Sequence, residues 1–217
     1  MATLIPLGDV SRRTRRFALV TLLIIAVNAY VFFRELAHGN AFVRHWAVIP
    51  IQIHHGRHLL TLVTGTFLHA GWLHIFGNMI FLWAFGPAIE DAMGRLRFLV
   101  FYLTGGVVAM LAQVAGSPTS HIPCLGASGA IAAVMGAFLV LFPRDRIRSL
   151  LWIIIFIRIT YIPAALLIGV WFLIQLWNAG AIATVQSGGV AYLAHVGGFL
   201  FGVVTAGLWT PRQAGFN

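Results

Sequence analysis

Six long apolar runs divide the chain, and polar or charged positions cluster between them. The runs cover residues 17–33, 71–89, 98–115, 124–142, 162–178 and 190–209. About 20 apolar residues in a helix cross the hydrocarbon core of a bilayer. The pattern therefore predicts an all-α membrane protein with six membrane-spanning helices in one bundle.

Charged residues and a proline set the end of the first helix and the start of the fifth. The first run follows a basic stretch, as in a signal peptide, but it is longer than the usual apolar core of about 7 to 15 residues. Arg34 and Glu35 end it, so we interpret it as an uncleaved first helix. Residues 150–160 are also apolar, but Arg158 and Pro163 interrupt them. We place that segment at the inner face and expect the fifth helix to begin near Ile162.

No linker, low-complexity tract or internal repeat divides the sequence. We therefore expect a basic cytoplasmic segment at 1–16, one six-helix domain at 17–209 and a short cytoplasmic tail at 210–217. The longest connection, at about 34–70, contains Trp, Arg and several His residues, which suit the headgroup level on the outer side.

Composition and charge support this picture. Hydrophobic residues make up 60% of the chain and charged residues only 9%, which excludes a soluble domain. All 14 basic residues are Arg. With the N-terminus inside, only Arg34, Arg44 and Arg57 fall on the outer side, as the positive-inside rule favours. The net charge of +9 then reflects topology and contact with anionic lipid rather than nucleic-acid binding. The single cysteine, Cys124, excludes an intrachain disulfide.

Four polar residues are predicted to share one depth in the membrane. In this orientation the second, fourth and sixth spans start at the outer face. His74 and Asn78 come early in the second, Ser128 early in the fourth and His195 early in the sixth. Polar side chains in a membrane tend to face the bundle interior. His74 and Asn78 are four residues apart, so they share one helix face.

Small residues indicate that Ser128 and His195 can meet. His195, Gly198 and Gly202 lie on one face of the sixth span, and Ser128 begins a matching small-residue face on the fourth. Such faces allow close approach of two helix backbones. A histidine within hydrogen-bond reach can take the proton of a serine hydroxyl and make it nucleophilic.

The acidic residues do not supply a third catalytic member. Of the five acids, only Glu35 could share the depth of Ser128 and His195. All lie at span ends or in loops, at Asp9, Glu35, Glu90, Asp91 and Asp145. We infer a Ser-His dyad. The available donors for a developing oxyanion are Asn78, His74 and the backbone N–H groups at the start of the fourth helix.

Four motifs carry a resemblance to the rhomboid family of intramembrane serine proteases. They are "FLHAGWLHIFGNM" at 67–79, "AIEDAMGRLRF" at 88–98, "GASGAI" at 126–131 and "AHVGGFLFG" at 194–202. The likeness extends from about Leu59 to Gly207. It implies a six-helix bundle that cleaves transmembrane or juxtamembrane segments of membrane-protein substrates in a bilayer. It implies no cofactor, no metal and no nucleic-acid partner.

The resemblance also implies roles for single residues. Ser128 matches the nucleophile and His195 the general base. His74, Asn78 and the turn glycine Gly126 match the oxyanion-stabilising part of the site. Gly198 and Gly202 match the close-packing face of the last helix. We expect a multi-pass protein of a bacterial plasma membrane whose active site opens to the outer side.

Two positions depart from the pattern of some family members. Leu60 and Thr61 stand where those members have a Trp-Arg pair, so this loop must be anchored differently. Ala132 stands where an aromatic residue, four positions after the nucleophile, supports the histidine.

Other interpretations remain open at this stage. An inactive relative that binds membrane proteins would share the fold, although it need not keep both Ser128 and His195. A channel or transporter could use the polar cluster as a pathway, but the spans lack a central acid and inverted repeats. His54, His55 and His58 could hold a metal, yet an interfacial cluster fits better because no acid or Cys joins them.

Overall fold

The computed structural model describes residues 2–11, 14, 16–153, 156–182 and 191–210. Its helices are α1 Leu19–Trp46, α2 Pro50–His54, α3 Thr61–Thr64, α4 Trp72–Met93, α5 Arg95–Gly116, α6 Ser128–Leu141, α7 Ala164–Ile182 and α8 Tyr192–Trp209. A 3₁₀ turn at Gly65–Phe67 follows α3. The strands are β1 Ala2–Asp9, β2 Arg146–Ile153 and β3 Phe156–Pro163. The tail at 211–217 and most of the connection before α8 lie outside the described residues.

Among the described residues, four helices are long and apolar enough to cross a membrane. They are α1, α4, α5 and α8. The other two apolar helices are shorter over the part whose side chains are described, Ser128–Leu141 in α6 and Ala164–Ala179 in α7. At 14 residues α6 is about 21 Å long, less than the roughly 30 Å hydrocarbon core. The integral membrane character is therefore supported, while the count of six spans and the cytoplasmic N-terminus stay predictions.

The helix α6 is the centre of the bundle. Its residues 129–138 are all buried, so protein rather than lipid surrounds it. It begins at Ser128, not at residue 124 as the apolar run indicated. The residues just before it take part in backbone pairing outside the helix, including a bridge between Cys124 and Val48. Ser128 consequently occupies the first turn of a helix enclosed by its neighbours.

The expected long connection after the first span is partly helical. Helix α1 continues to Trp46, well past the predicted end at residue 33. It bends at Gly39, whose φ of 66° is readily adopted by glycine. The polar residues that follow Phe33 therefore extend a helix instead of starting a loop.

A three-stranded sheet corrects the all-α prediction. The strands are antiparallel in the order β1-β2-β3. In β2, Ile147 and Ser149 are buried whereas Arg146 and Arg148 are exposed, which is the period of two that a half-buried strand shows. The described residues of the segment at 150–160, for which we expected only a place at the inner face, thus belong to two paired strands. Residues 2–9, expected to be a simple basic extension, add the third strand.

The sheet packs at the end of the bundle remote from Ser128. Residues of β1, including Gly8, lie against Trp83, Ala84 and Pro87 in the second half of α4. Pro163 ends β3, and the N–H of Ala164 donates to the Asp145 carbonyl (2.8 Å) where α7 begins. The hairpin therefore joins the end of α6 to the start of α7.

A carboxylate fixes the start of α1 on α4. Glu90 accepts hydrogen bonds from the N–H groups of Val20 (2.9 Å) and Thr21 (2.8 Å) and from the Thr21 hydroxyl (2.8 Å). The first N–H groups of a helix have no intrahelical acceptor. The buried Glu90 satisfies two of them, which explains an acid at this depth without assigning it chemistry.

Glycines bring α8 into backbone contact with α6. A methyl group on Gly198 would collide with the carbonyl of Gly129, and one on Gly202 with the carbonyl of Ala133. Gly136 of α6 faces the Phe199 carbonyl of α8 in the same way. Two helices can approach this closely only where side chains are absent.

We predict that Gly202→Ala lowers the thermal unfolding temperature of the protein in detergent micelles. Its methyl group meets backbone atoms, which cannot rotate away, and overpacking of this kind costs about 1–3 kcal/mol. Gly207→Ala is the matched control on α8, because nothing lies within 4 Å of the added methyl. Equal unfolding temperatures for the two variants would contradict this account of the α6–α8 contact.

Candidate active site

Backbone pairing positions the loop that precedes Ser128. The N–H of Val48 donates to the Cys124 carbonyl (3.0 Å), and the N–H of Cys124 donates to the Val48 carbonyl (2.7 Å). Two residues later, the N–H of Gly126 donates to the carbonyl of Gly65 (2.9 Å). These bonds fix the loop against the segment between α1 and α4. The loop in turn delivers Ser128 to the first position of α6.

Ser128 and His195 are in direct contact. The Ser128 Oγ lies 2.7 Å from Nε2 of His195, which is the fourth residue of α8. The imidazole is buried, with 8% of its surface exposed, whereas Ser128 is half-buried. A serine hydroxyl and a histidine at this separation form the pair that nucleophilic catalysis requires.

Gly126 leaves room for His74 beside the serine. Its φ of 128° is rarely adopted by residues with a side chain. A methyl group there would lie 2.9 Å from His74 Nε2 and 3.6 Å from Ser128 Oγ. The glycine therefore keeps open the space where the His74 ring and the serine hydroxyl face each other.

The tautomer of His74 follows from its other hydrogen bond. Its Nδ1 accepts the N–H of Ala70 at 3.2 Å. A neutral imidazole carries one hydrogen, which is then on Nε2. His74 Nε2, the nitrogen near Gly126, is consequently a hydrogen-bond donor.

Asn78 lies one turn after His74 on α4 and is buried. Its side-chain Nδ2 has no hydrogen-bond partner in the part of the chain that the structure describes. A buried amide without a partner costs free energy comparable to a lost hydrogen bond. Such a group is unusual and can serve as a donor to a reacting molecule.

Three further side chains surround His195, and sequence reasoning assigned none of them to the site. Gln175 of α7 places its Oε1 2.8 Å from His195 Nδ1. The ring of Trp171 lies 5.8 Å from the imidazole and that of Tyr192 lies 6.2 Å away, centroid to centroid. One signal was present in the sequence, because Gln175 interrupts an apolar run and polar residues in such runs tend to face the interior.

These contacts resolve the two departures found in the sequence. Ala132 is fully buried and provides no ring, but Trp171 provides one from α7. In the loop before α4, the Thr61 hydroxyl donates to the His58 carbonyl (2.7 Å) and the Thr64 hydroxyl to the Trp46 carbonyl (2.8 Å). Hydroxyl groups anchor the loop that a Trp-Arg pair would otherwise support.

A buried acid supports the start of α4. Glu35 accepts the backbone N–H of His69 with both carboxylate oxygens (3.0 and 3.2 Å). The His69 ring then packs 5.1 Å from the His74 ring. Burial, together with the smaller effect of the nearby His74, lowers the pKa of His69 to about 4. His69 is thus a neutral neighbour of His74 at physiological pH.

The structure also describes the histidines considered as metal ligands and the single thiol. Within the described ranges, no group of three or more His, Cys, Asp or Glu residues is placed to hold a metal ion. His55 Nδ1 instead contacts the Ile51 carbonyl at 2.7 Å. Burial raises the pKa of the Cys124 thiol to about 11, so it is protonated and weakly nucleophilic at neutral pH.

Comparisons with known proteins agree on one family. The family model described as Rhomboid domain matches residues 56–212. The chain is 31% identical over 200 residues to "Presenilin-associated rhomboid-like protein A, mitochondrial" of Danio rerio and to "Presenilin-associated rhomboid-like protein, mitochondrial" of Homo sapiens, covering 88% of this chain and 49% of each relative. It is 30% identical over 152 residues to "Rhomboid protein 1, mitochondrial" of Saccharomyces cerevisiae, covering 67% of this chain and 40% of the relative. The chain thus spans about half the length of these curated relatives or less.

We predict that Gly126→Ala slows the reaction of Ser128 with a fluorophosphonate probe at least tenfold. The added methyl strains the backbone and displaces the His74 ring, so the loop no longer presents the serine correctly. Cys124→Ser is the control in the same loop, since its backbone pairing with Val48 does not need the thiol. Labelling is read by mass spectrometry of the modified peptide. Equal labelling rates in the two variants would contradict the role of Gly126.

Proposed function

The chain belongs to the rhomboid family, and from that premise we propose that it is an intramembrane serine endopeptidase. In this proposal it cleaves a peptide bond in or near a transmembrane segment of another membrane protein. The supporting observation is the contact of 2.7 Å between Ser128 Oγ and His195 Nε2 inside an apolar helical bundle. No cofactor is required by the chemistry that follows.

The Ser128–His195 pair performs acyl transfer in two steps. Ser128 Oγ attacks the carbonyl carbon of the scissile bond while its proton passes to His195 Nε2. The tetrahedral intermediate collapses as the imidazolium returns the proton to the leaving amine, leaving an acyl-enzyme. A water molecule, deprotonated by the same histidine, then attacks the ester and regenerates Ser128.

The oxyanion of each intermediate is bound by donors near Ser128. His74 offers Nε2–H next to Gly126, and Asn78 offers an amide that has no partner among the described residues. The N–H of Ser128 is a third donor, because the first N–H groups of a helix have no intrahelical acceptor. Donors that are already oriented stabilise the developing charge without reorganisation.

The substrate must present an extended backbone to this site. Within a helix, the carbonyl and N–H groups near the scissile bond are engaged with each other. In lipid, an unwound segment needs protein or water to satisfy those groups. We therefore propose substrates whose transmembrane segment unwinds readily, with water supplied from the side where α4, α6 and α8 begin.

The proposal also concerns the face of the membrane to which the site opens and the membrane in which the protein lies. Under the predicted topology the site opens to the outer face, and residues 17–209 form the protease domain. The expectation of a bacterial plasma membrane gains no support from the relatives named above, whose printed names are mitochondrial. For location, we therefore propose an integral membrane protein and name no compartment.

We predict that wild-type protein reacts with a fluorophosphonate probe at Ser128, and that Ser128→Ala and His195→Ala do not. The hydroxyl is the only group modified in this scheme, and without the imidazole no base removes its proton. The same variants should fail to cleave a reconstituted single-span substrate in liposomes. Unfolding temperatures verify that both variants are folded.

A folded wild-type protein that is not labelled, or is labelled elsewhere, would exclude this mechanism. The interpretation as an inactive relative that binds membrane proteins would then be favoured. Solute flux through the same liposomes tests the channel interpretation independently. A channel would conduct solute across the bilayer, whereas the protease mechanism requires no such flux.

We also predict that Asn78→Ala lowers kcat about 100- to 1,000-fold, as the loss of one oxyanion donor does in other serine proteases. KM should change little, because the donor is used mainly in the transition state. Gly77→Ala is the neighbouring control, since nothing lies within 4 Å of its added methyl. Cleavage kinetics of the liposome substrate provide the measurement. An unchanged kcat would remove Asn78 from the mechanism.

A further inference from the structure

We propose that Gln175 is the positioning residue that sets the tautomer and orientation of His195. The inference rests on the proposed function, in which His195 is the general base. Its foundation is the contact of 2.8 Å between Gln175 Oε1 and His195 Nδ1. Both side chains are buried, each with 8% of its surface exposed.

A second hydrogen bond fixes which end of the amide faces the histidine. The Nε2 of Gln175 donates to the carbonyl of Trp171, one turn earlier on α7, at 3.4 Å. With its nitrogen directed at the helix backbone, the amide presents its oxygen to the imidazole. An amide oxygen only accepts hydrogen bonds. The hydrogen of neutral His195 is therefore on Nδ1.

This assignment gives Nε2 the state that catalysis needs. With Nδ1 protonated, Nε2 has a free lone pair and accepts the hydroxyl hydrogen of Ser128 at 2.7 Å. In the other tautomer an N–H would face the serine and could not remove its proton. A buried carboxylate has the same orienting role in serine proteases with a full triad. Gln175 supplies the orientation without the negative charge.

Aromatic side chains hold the plane of the ring. Trp171 lies on one side of the imidazole at 5.8 Å with an interplanar angle of 39°, and Tyr192 meets it edge-on at 6.2 Å. Gln175 and Trp171 both belong to α7. That helix is itself held on α8 by stacking of Phe172 on Phe199, with centroids 4.1 Å apart.

A consequence is that the position of α7 and the state of His195 are linked. If α7 moves away from α8, the acceptor at Nδ1 leaves with it. Catalysis then requires α7 to be seated on α8, whatever path the substrate takes to the serine. The nucleophile and its base come from α6 and α8, but the orientation of the base is supplied by α7.

The test compares two variants of Gln175. One keeps the size of the side chain but loses the hydrogen-bond acceptor, and the other keeps the acceptor. Gln175→Met fills the same space and has no comparable acceptor, whereas Gln175→Glu keeps an oxygen at the same reach whether or not it is ionised. Leu173→Met is the control on α7, because the side chain of Leu173 is exposed whereas that of Gln175 is buried. For each variant, the fluorophosphonate reaction at Ser128 is followed to saturation, which separates the maximal inactivation rate constant from the probe concentration at half-saturation.

We expect Gln175→Met to lower the maximal rate constant about 10- to 100-fold, with little change in half-saturation. Gln175→Glu should retain it within about threefold, and Leu173→Met should match the wild type. Gln175→Leu provides a second acceptor-free variant if the methionine variant does not fold, as judged from its unfolding temperature.

Two results would overturn the inference. One is a folded Gln175→Met or Gln175→Leu variant that reacts as fast as the wild type. The other is a Gln175→Glu variant as slow as the methionine variant, since a purely structural amide would give that result. Failure of the proposed function is distinguishable from both, because the wild-type protein itself would then not react at Ser128.

Discussion

The backbone contact between α6 and α8 is the constraint on which the rest of the site depends. Helices in proteins usually pack with their axes about 8–10 Å apart, because side chains separate them. Here Gly198 and Gly202 place α8 against the carbonyls of Gly129 and Ala133. The short hydroxyl of Ser128 can reach an imidazole on the neighbouring helix only because of that proximity. The two glycines therefore bring the Ser128 hydroxyl, the proposed nucleophile, within reach of His195.

Most of the buried polar side chains discussed above have hydrogen-bond partners. Ser128, His195 and Gln175 form a continuous chain of hydrogen bonds, and Glu90 and Glu35 each cap backbone N–H groups. An unsatisfied polar group in a low-dielectric interior is costly, so these groups hold one arrangement rather than exchanging partners. Asn78 differs, because its side-chain Nδ2 has no partner among the described residues and the residue lies one turn from His74. In the proposed mechanism, the cost of burying this nitrogen is offset when an oxyanion binds.

The sheet gives the bundle two unlike ends. At one end, β1 lies against α4 and the β2–β3 hairpin ties the start of α7 to the end of α6. At the other end, loops deliver Ser128, His74 and His195 to one place. Helix α7 is thus attached by the hairpin at its first residue and by Gln175, Trp171 and Phe172 near the site. This arrangement connects α6, which carries the proposed nucleophile Ser128, with α7, whose Gln175 contacts the proposed base His195.

The sequence alone determined the membrane character, the approximate position of each apolar helix and the residues Ser128, His195, His74, Asn78 and Gly126 as candidates. The membrane character and the helices follow from local patterns, because hydropathy and helical spacing act over a few residues; Gly126 was assigned to the site by the resemblance to rhomboid proteases. The pairing of β1 with β2 joins segments more than 130 residues apart and left no local signal. The end of α1 depended on a bend at Gly39, and the role of Gln175 depended on which face α7 turns toward α8. Those features are set by packing between distant segments, which only the tertiary structure decides.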